Sequence, residues 1–429
     1  MAKREPRLLD DCFAHDKRRL RHDEALAILK ERVRPVVGRE RLSLAQAAGR
    51  ILAAAAVAPH PVPAHGNAAV DGFSFAAADY DAAAGACLGV EGRAAAGHPL
   101  AARPARATAA RIFTGAMMPD GHDTVVMQED VHASTIDGRM AVSIPAGVKR
   151  GANVRHAGED VREGATVLAP GAVLRPQDLS ALASLGFGEV PCFRRLRVAV
   201  VSTGDEVVRS LAPLKPGQVR DANAPMLGAL IANAGATAVD LGVFPDTLAA
   251  VKEKLGEAAR RCDVIITTGG ASRGDEDHMV AALDALGKRH LWQLAIKPGR
   301  PMSFGQIGDA VVLGLPGNPV AVFVCFLLYA WPLLRRMGGG EWPEPRRYKL
   351  PALFAFPDRK LGRREFWRGI LRTTPPGLAV DKFARDGSGL ISGLRAADGL
   401  IDIPEDVAAV NPGDPVAFIP FAEFGILGR

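Results

Sequence analysis

The sequence predicts an α/β protein of several domains centred on a parallel sheet, on three observations. Between Leu196 and Pro319 short apolar runs alternate with segments of helical period. Nearly every run ends in glycines, carboxylates or cations able to hold a phosphate or a metal ion. On either side the chain becomes punctuated by glycine and proline, with short runs suited to β structure.

The expected strands are Leu196 to Val201, Val239 to Phe244, Val264 to Thr268, Leu291 to Ile296 and Val311 to Leu315, with helices at Pro225 to Ala234 and Thr247 to Arg261. Apolar strands alternating with amphipathic helices argue for right-handed βαβ units and a mostly parallel sheet covered on both faces. Ligands of such sheets sit beyond the carboxyl ends of the strands. Those ends carry Ser202-Thr203-Gly204-Asp205-Glu206, Pro245-Asp246, the stretch from Gly269 to Asp277, Lys297-Pro298-Gly299-Arg300, and Pro316-Gly317-Asn318-Pro319. The expectation is that all five meet on one rim.

Towards the N-terminus, Asp23 to Arg34 and Ser43 to Ala56 have the alanine and leucine content of two helices. Pro59-His60-Pro61-Val62-Pro63 then forces an extended path. Up to about Asp160 short alternating runs, such as Thr124 to Gln128 and Met140 to Ile144, suggest a small β-rich domain, and a helix follows at Pro176 to Leu185. Val320 to Leu334 is apolar but too short to span a bilayer, where roughly 18 to 20 residues are needed. It reads as a buried helix with Asn318 as N-cap and Pro319 in its first turn. Gly338-Gly339-Gly340 is a natural linker, and Tyr348 to Pro420 has the texture of a small β-barrel.

Composition narrows the function classes. With 429 residues there is room for about three ordinary domains. A net charge of +6 suits anionic small ligands, and no basic stripe interleaved with aromatics points to nucleic acid. The five cysteines are scattered without a C-x-x-C pair, which fits a reducing cytoplasm rather than a disulfide framework, and Met1 to Asp11 lacks the apolar core of a signal peptide. No Walker-type phosphate loop and no G-x-G-x-x-G with a trailing acid appears.

The strand-end residues suggest their own chemistry. Gly269-Gly270 after a buried strand lets backbone amides approach an anion, with Ser272 beside them. Glu206, Asp246, Asp275 and Asp277 are hard oxygen donors near that phosphate-binding backbone, which suits magnesium. Lys297 and Arg300 would clamp an oxyanion, one as a point charge and the other as a planar fork. Taken alone, Asp71-Gly72 and Thr114-Gly115 are ordinary turn dipeptides.

Seven segments together resemble a known family. They are Asp71-Gly72-Phe73, Arg111-Ile112-Phe113-Thr114-Gly115-Ala116, Asp123 to Glu129, Gly158-Glu159-Asp160, Ser202 to Glu206, Ile296 to Pro301 and Leu315 to Pro319. In this order, over essentially the whole chain, they resemble molybdopterin molybdenumtransferase, the MoeA family, to which the E domain of gephyrin also belongs. The resemblance implies a discontinuous domain I (1–56 and 161–192), a β-rich domain II (57–160), an α/β molybdopterin-binding domain III (193–340) and a β-barrel domain IV (341–429). It further implies an elongated homodimer that binds adenylylated molybdopterin, cleaves its pyrophosphate with Mg(2+), inserts molybdate and releases AMP.

Carried over by motif position, Asp71 and Thr114 become active-site residues that reach domain III of the partner subunit. Glu206, Asp246 and Asp277 handle nucleotide and magnesium, with Asp246 and Asp277 as metal ligands. Gly269, Gly270 and Ser272 hold phosphate. Lys297 and Arg300 face pterin phosphate or molybdate, Pro316 and Pro319 bind substrate, and Arg368 and Ser388 bind molybdate, by likeness of Glu365 to Gly369 and Gly387 to Gly389 to family segments. Transient contacts with molybdopterin adenylyltransferase and recipient molybdoenzymes are implied; nucleic acid and membrane are not.

The sequence departs from the family pattern at Val70 for Met, Phe73 for Tyr, Ala271 for Val and Arg300 for Lys. None of these deletes a proposed catalytic carboxylate. Two rival readings exist: an adenylyltransferase acting on molybdopterin, and a dimeric scaffold that binds a partner protein.

Overall fold

The computed structural model describes residues 19–136, 138–244, 247–269 and 278–428, the side chains of 289–292 excepted. Its centre is a six-stranded sheet in the order Thr237–Val243, Arg197–Ser202, Val264–Thr268, Ala310–Leu315, Pro301–Ile307, Lys288–Gln293. The first three neighbouring pairs are parallel and the last two antiparallel. Strand side chains alternate between faces, and the two cores follow that alternation. Val198, Val200, Ile266 and Leu313 face one cluster, while Ala199, Val201, Ile265 and Val312 face the other.

The second cluster is covered by helices Leu248–Arg261 and His278–Leu286. In the former Val251, Leu255 and Ala258 recur at helical spacing and are buried. The first cluster receives helix His22–Arg32 through Ala25 and Leu29, helix Asn223–Asn233, and residues of the C-terminal segment such as Phe366, Leu400 and Phe424.

At its heart runs the apolar helical stretch Pro319–Met337, 89% buried although long and apolar enough to cross a membrane by length and composition. It begins with Pro319 in the first turn, as expected, and Asn318 occupies the N-cap position without a side-chain capping bond. A π-helical turn, Phe326–Ala330, precedes the Trp331–Met337 segment that carries Pro332 in its first turn. Proline has no N–H to give, and a widened turn accommodates the missing bond.

Towards the N-terminus, Arg39–Ser43 pairs with Glu189–Phe193 and Ala56–Val57 with Thr166–Leu168, so two segments far apart in sequence share a core of Leu52, Leu174 and Leu182. Between them lies a second six-stranded sheet, ordered Thr124–Met127, Gly72–Phe75, Thr108–Ile112, Ala86–Ala94, Arg139–Ile144, His132–Ile136. In the C-terminal segment Arg364–Thr374 pairs with Gly377–Lys382 and Gly399–Ile403, which leads through Pro415–Pro420 to Tyr348–Pro351. The two ends of that order meet at a single bridge, Ala352 to Val380, rather than along a ladder.

Two expectations are corrected and one strand is added. Ser43 to Ala56 is not one helix: only Leu44–Ala47 is helical, because Gly49 turns left-handed at φ 70° and Ile51 and Leu52 bridge to Val173 and Cys192. The expected strand Leu291 to Ile296 is two: Lys288–Gln293 in the central sheet and Ile296–Lys297, which pairs with Arg364 and Glu365 of the C-terminal segment. Strand Pro301–Ile307 was not expected; it forms an antiparallel hairpin with Ala310–Leu315.

Candidate functional site

A cavity of about 550 Å³ lies beyond the carboxyl ends of the central parallel strands, between them and the C-terminal segment. Gly269, Lys297, Arg300, Pro316, Arg368 and Ser388 all line it. Six residues singled out from sequence are thus brought together.

On the sheet side, Gly269 follows strand Val264–Thr268 at φ 88°, and a Cβ there would lie 2.6 Å from Thr203 Oγ1. Only glycine lets the two strand ends approach so closely. Its N–H donates to Leu315 O at 3.2 Å, joining this loop to Pro316-Gly317. That second loop is held from below by the Asn223 side-chain amide, which donates to Gly317 O at 2.8 Å. Asp221 in turn accepts the N–H groups of Asn223 and Ala224 at the start of helix Asn223–Asn233, the Ser202 hydroxyl at 2.6 Å and Arg209 Nε at 2.7 Å. Burial alone would raise the Asp221 carboxyl, but the bonds from Ser202, Ala224 and Arg209 hold it below the usual carboxylate range.

The Lys297-Pro298 peptide is cis, and Gly299 turns at φ 102° with its missing Cβ directed at Cys325 Sγ. Lys297 Nζ lies 3.7 Å from Glu365 Oε2, a carboxylate only 1% exposed. Glu365 also accepts from Arg363 Nε and Trp367 Nε1, each at 2.9 Å, and sits 3.7 Å from the fully buried Arg359. The Arg300 guanidinium makes no hydrogen bond or ion pair among the described residues and is exposed.

From the C-terminal segment, Arg368 is buried with its guanidinium 4.9 Å from the Phe383 ring centre. It donates to Arg385 O at 2.6 Å and Leu390 O at 3.1 Å, bracketing the loop that carries Ser388. Burial pulls its guanidinium below the ordinary value and the nearby charge of Asp386 pulls it back up; arginine stays charged throughout. The Ser388 carbonyl accepts the Val320 N–H at 2.9 Å, docking this loop on the first turn of the buried helix.

Other expected residues lie elsewhere. Pro319 heads the buried helix next to the lining residue Asn318. Glu206 is exposed at the end of the loop after strand Arg197–Ser202, where its carbonyl accepts the Val219 N–H. Asp71 and Thr114 are joined on the β-rich sheet, away from this cavity's lining. Thr114 lowers the Asp71 carboxyl, first through its N–H and then through its hydroxyl, with Arg111 adding a favourable charge. Arg111 itself stacks 4.9 Å from both the Phe73 and Phe113 rings. Asp246, Gly270, Ser272, Asp275 and Asp277 fall outside the described residues. Among the described residues no group of three or more His, Cys, Asp or Glu could hold a metal ion.

Sequence reasoning passed over Asp221, Asn223, Lys382 and Asp386. Asp221 two residues before Asn223 is a recognisable helix-start signal. Lys382 and Asp386 carry no such local mark.

Three family descriptions match along the chain: MoeA N-terminal region (domain I and II) over residues 20–186, a probable molybdopterin binding domain over 199–336, and MoeA C-terminal region (domain IV) over 349–421. The fold and the cation-lined cavity therefore define a MoeA-type protein with a molybdopterin-binding type of α/β domain. A molybdopterin molybdenumtransferase of Haemophilus influenzae is 36% identical, over 93% of this chain and 98% of its own. Molybdopterin molybdenumtransferase 2 of Mycobacterium tuberculosis is 34% identical, over 91% and 96%. The crystal structure of the molybdopterin biosynthesis MoeA protein from Pyrococcus horikosii is 29% identical, covers 94% of this chain and 99% of its own, and superposes with a TM-score of 0.79. The chain belongs to the molybdopterin molybdenumtransferase family.

Proposed function

We propose that this enzyme inserts molybdate into adenylylated molybdopterin, releasing AMP and yielding molybdenum cofactor. The observation that carries this reading is the cavity in which Lys297, Arg300 and Arg368 meet between the central sheet and the C-terminal segment. Molybdate and the pterin phosphate are anions, and fixed cations in a partly covered cavity hold anions more strongly than the same charges in water.

On this reading Gly269, Gly270 and Ser272 offer phosphate-binding backbone and hydroxyl. Lys297 and Arg300 face the pterin phosphate or molybdate, Pro316 and Pro319 shape the loop between them, and Arg368 and Ser388 take molybdate. Asp71 and Thr114 act from the β-rich sheet on the central domain of a partner subunit, in a cytoplasmic homodimer of four-domain subunits. Glu206, Asp246 and Asp277 handle the nucleotide, and Asp246 and Asp277 would ligate a magnesium ion that neutralises the pyrophosphate when bound. Among the described residues no group of three or more His, Cys, Asp or Glu forms such a site.

The test is AMP release from adenylylated molybdopterin by purified protein, with and without molybdate and magnesium. Release that depends on both, with molybdenum retained on the pterin, is the expected outcome. No release by a folded protein overturns the reading, and consumption of ATP with unmodified molybdopterin would favour an adenylyltransferase.

A further inference from the structure

We propose that Lys382 is an additional oxyanion ligand of the cavity, and that Asp386 is its built-in counter-ion, displaced when the oxyanion enters. The proposal rests on the reading of this cavity as the molybdate site and adds to it a residue that no motif marked.

Lys382 ends strand Gly377–Lys382 and pairs in register with Gly369, the residue after Arg368. Cross-strand partners share a face, so the lysine stem lies beside Trp367, two residues before Gly369. Its ammonium sits 5.6 Å from the Trp367 ring centre and 5.3 Å from that of Phe356. The side chain is only 10% exposed, yet the residue lines the cavity. A long lysine stem covered by apolar surface, with its head brought out at a polar opening, is the usual way this side chain delivers charge to a chosen place.

The ammonium is held by one carboxylate, Asp386, at 2.6 Å, and that carboxylate is 53% exposed. Asp386 is the one acidic residue among those described that line the cavity, and it shares that lining with four cations: Lys297, Arg300, Arg368 and Lys382. It is followed by Gly387 at φ 146° and then by Ser388, so it lies on the loop that Arg368 brackets. Lys297 is paired with the buried Glu365 and Arg368 donates to two main-chain carbonyls, whereas Lys382, besides the Phe383 carbonyl at 3.5 Å, is paired with a half-exposed side-chain carboxylate. A dianion arriving among these cations is repelled by Asp386 and attracted by Lys382. Exchange of one carboxylate for a tetrahedral oxyanion conserves the ammonium's ion pairing and removes the unfavourable charge from the lining.

The experiment is equilibrium dialysis of sodium molybdate against the full-length protein, with bound molybdenum measured by elemental analysis, for wild type, Lys382→Met, Lys382→Arg and Asp386→Asn. Methionine keeps the apolar stem and removes the charge. We expect its affinity to fall by about 10-fold, the loss of one partly screened charge-assisted contact. Lys382→Arg should restore most of that loss, and Asp386→Asn should bind about 3-fold or more tighter because the competing carboxylate is gone. Wild-type binding with an unchanged Lys382→Met affinity overturns the assignment of Lys382, and a lower melting temperature alone would mark it as a structural clamp. Unchanged or weaker binding by Asp386→Asn overturns the counter-ion role. Absence of binding by wild type would instead remove the molybdate reading of the cavity, and this inference with it.

Discussion

Thr114 gives Asp71 two hydrogen bonds on the same oxygen: its backbone N–H donates to Oδ1 at 2.8 Å and its hydroxyl at 2.7 Å. One short residue thereby fixes both the direction and the ionisation of a carboxylate that is otherwise open to solvent. Thr114→Val removes the hydroxyl and keeps the backbone bond, so the Asp71 carboxyl should move up towards its ordinary value. Carboxyl NMR titration checks the direction. If Asp71 acts as its anion, AMP release should fall first on the acid side of the profile; an acid limb identical to wild type would remove this pair from the chemistry.

Glu365 gathers Lys297, Arg359 and Arg363 around one buried carboxylate. Its removal leaves Arg359, whose side chain is fully buried, without its counter-charge. Glu365→Ala is therefore expected to cost roughly 3–5 kcal/mol of stability, the penalty typical of one partner stranded in a buried pair. Urea unfolding measures it.

His22 is fully buried, with Nδ1 2.9 Å from the Tyr329 hydroxyl. Burial, helped by the charge of Arg364, pushes its imidazole down from 6.5 to about 4. The folded state thus binds this proton less readily than the unfolded one. Its contribution is fully present above about pH 6.5 and is lost as pH falls towards 4, a span worth roughly 3 kcal/mol. His22→Gln should flatten this part of the stability profile, measured as urea midpoints at pH 7 and pH 4.5. A wild-type midpoint that does not move over that interval would refute the assignment.

Gly299 combines a left-handed turn with a backbone pressed against Cys325. Gly299→Ala must move one or the other, at a cost on the order of 1–3 kcal/mol. Because Lys297 and Arg300 flank this turn, molybdate retention should drop alongside the melting temperature. Cys325→Ala in the same chain should recover only part of either, since the backbone conformation stays unfavourable for alanine.

The central strands were legible because burial on two faces leaves nearly unbroken apolar runs, as in Val264–Thr268, where expected and observed limits coincide. Pro301–Ile307 was not, because its serine, glycine and glutamine interrupt the run and its partner is a hairpin neighbour across Gly308-Asp309. Ser43 to Ala56 misled for the opposite reason: alanines favour a helix locally, while distant strands claim Ile51 and Leu52. In the site, the cations after Ile296 and the glycine after Thr268 could be found because strand ends mark them. Lys382 and Asp386 could not, since their place in the cavity depends on the register between Arg364–Thr374 and Gly377–Lys382.

The two-residue strand Ile296–Lys297, hydrogen-bonded to Arg364 and Glu365, has a thermodynamic corollary. Lys297 and Arg300 belong to one side of that splice, Arg368 and Ser388 to the other. An anion that touches both sides is a cross-link between the central sheet and the C-terminal segment. By linkage, whatever free energy the closed seam lends to capture of the anion, the anion returns to closure of the seam. Loading the cavity should therefore protect the amides of Ile296–Lys297 and Arg364 from hydrogen exchange, and loosening the splice should shorten the anion's stay by the same factor that its affinity falls if the association rate is unchanged.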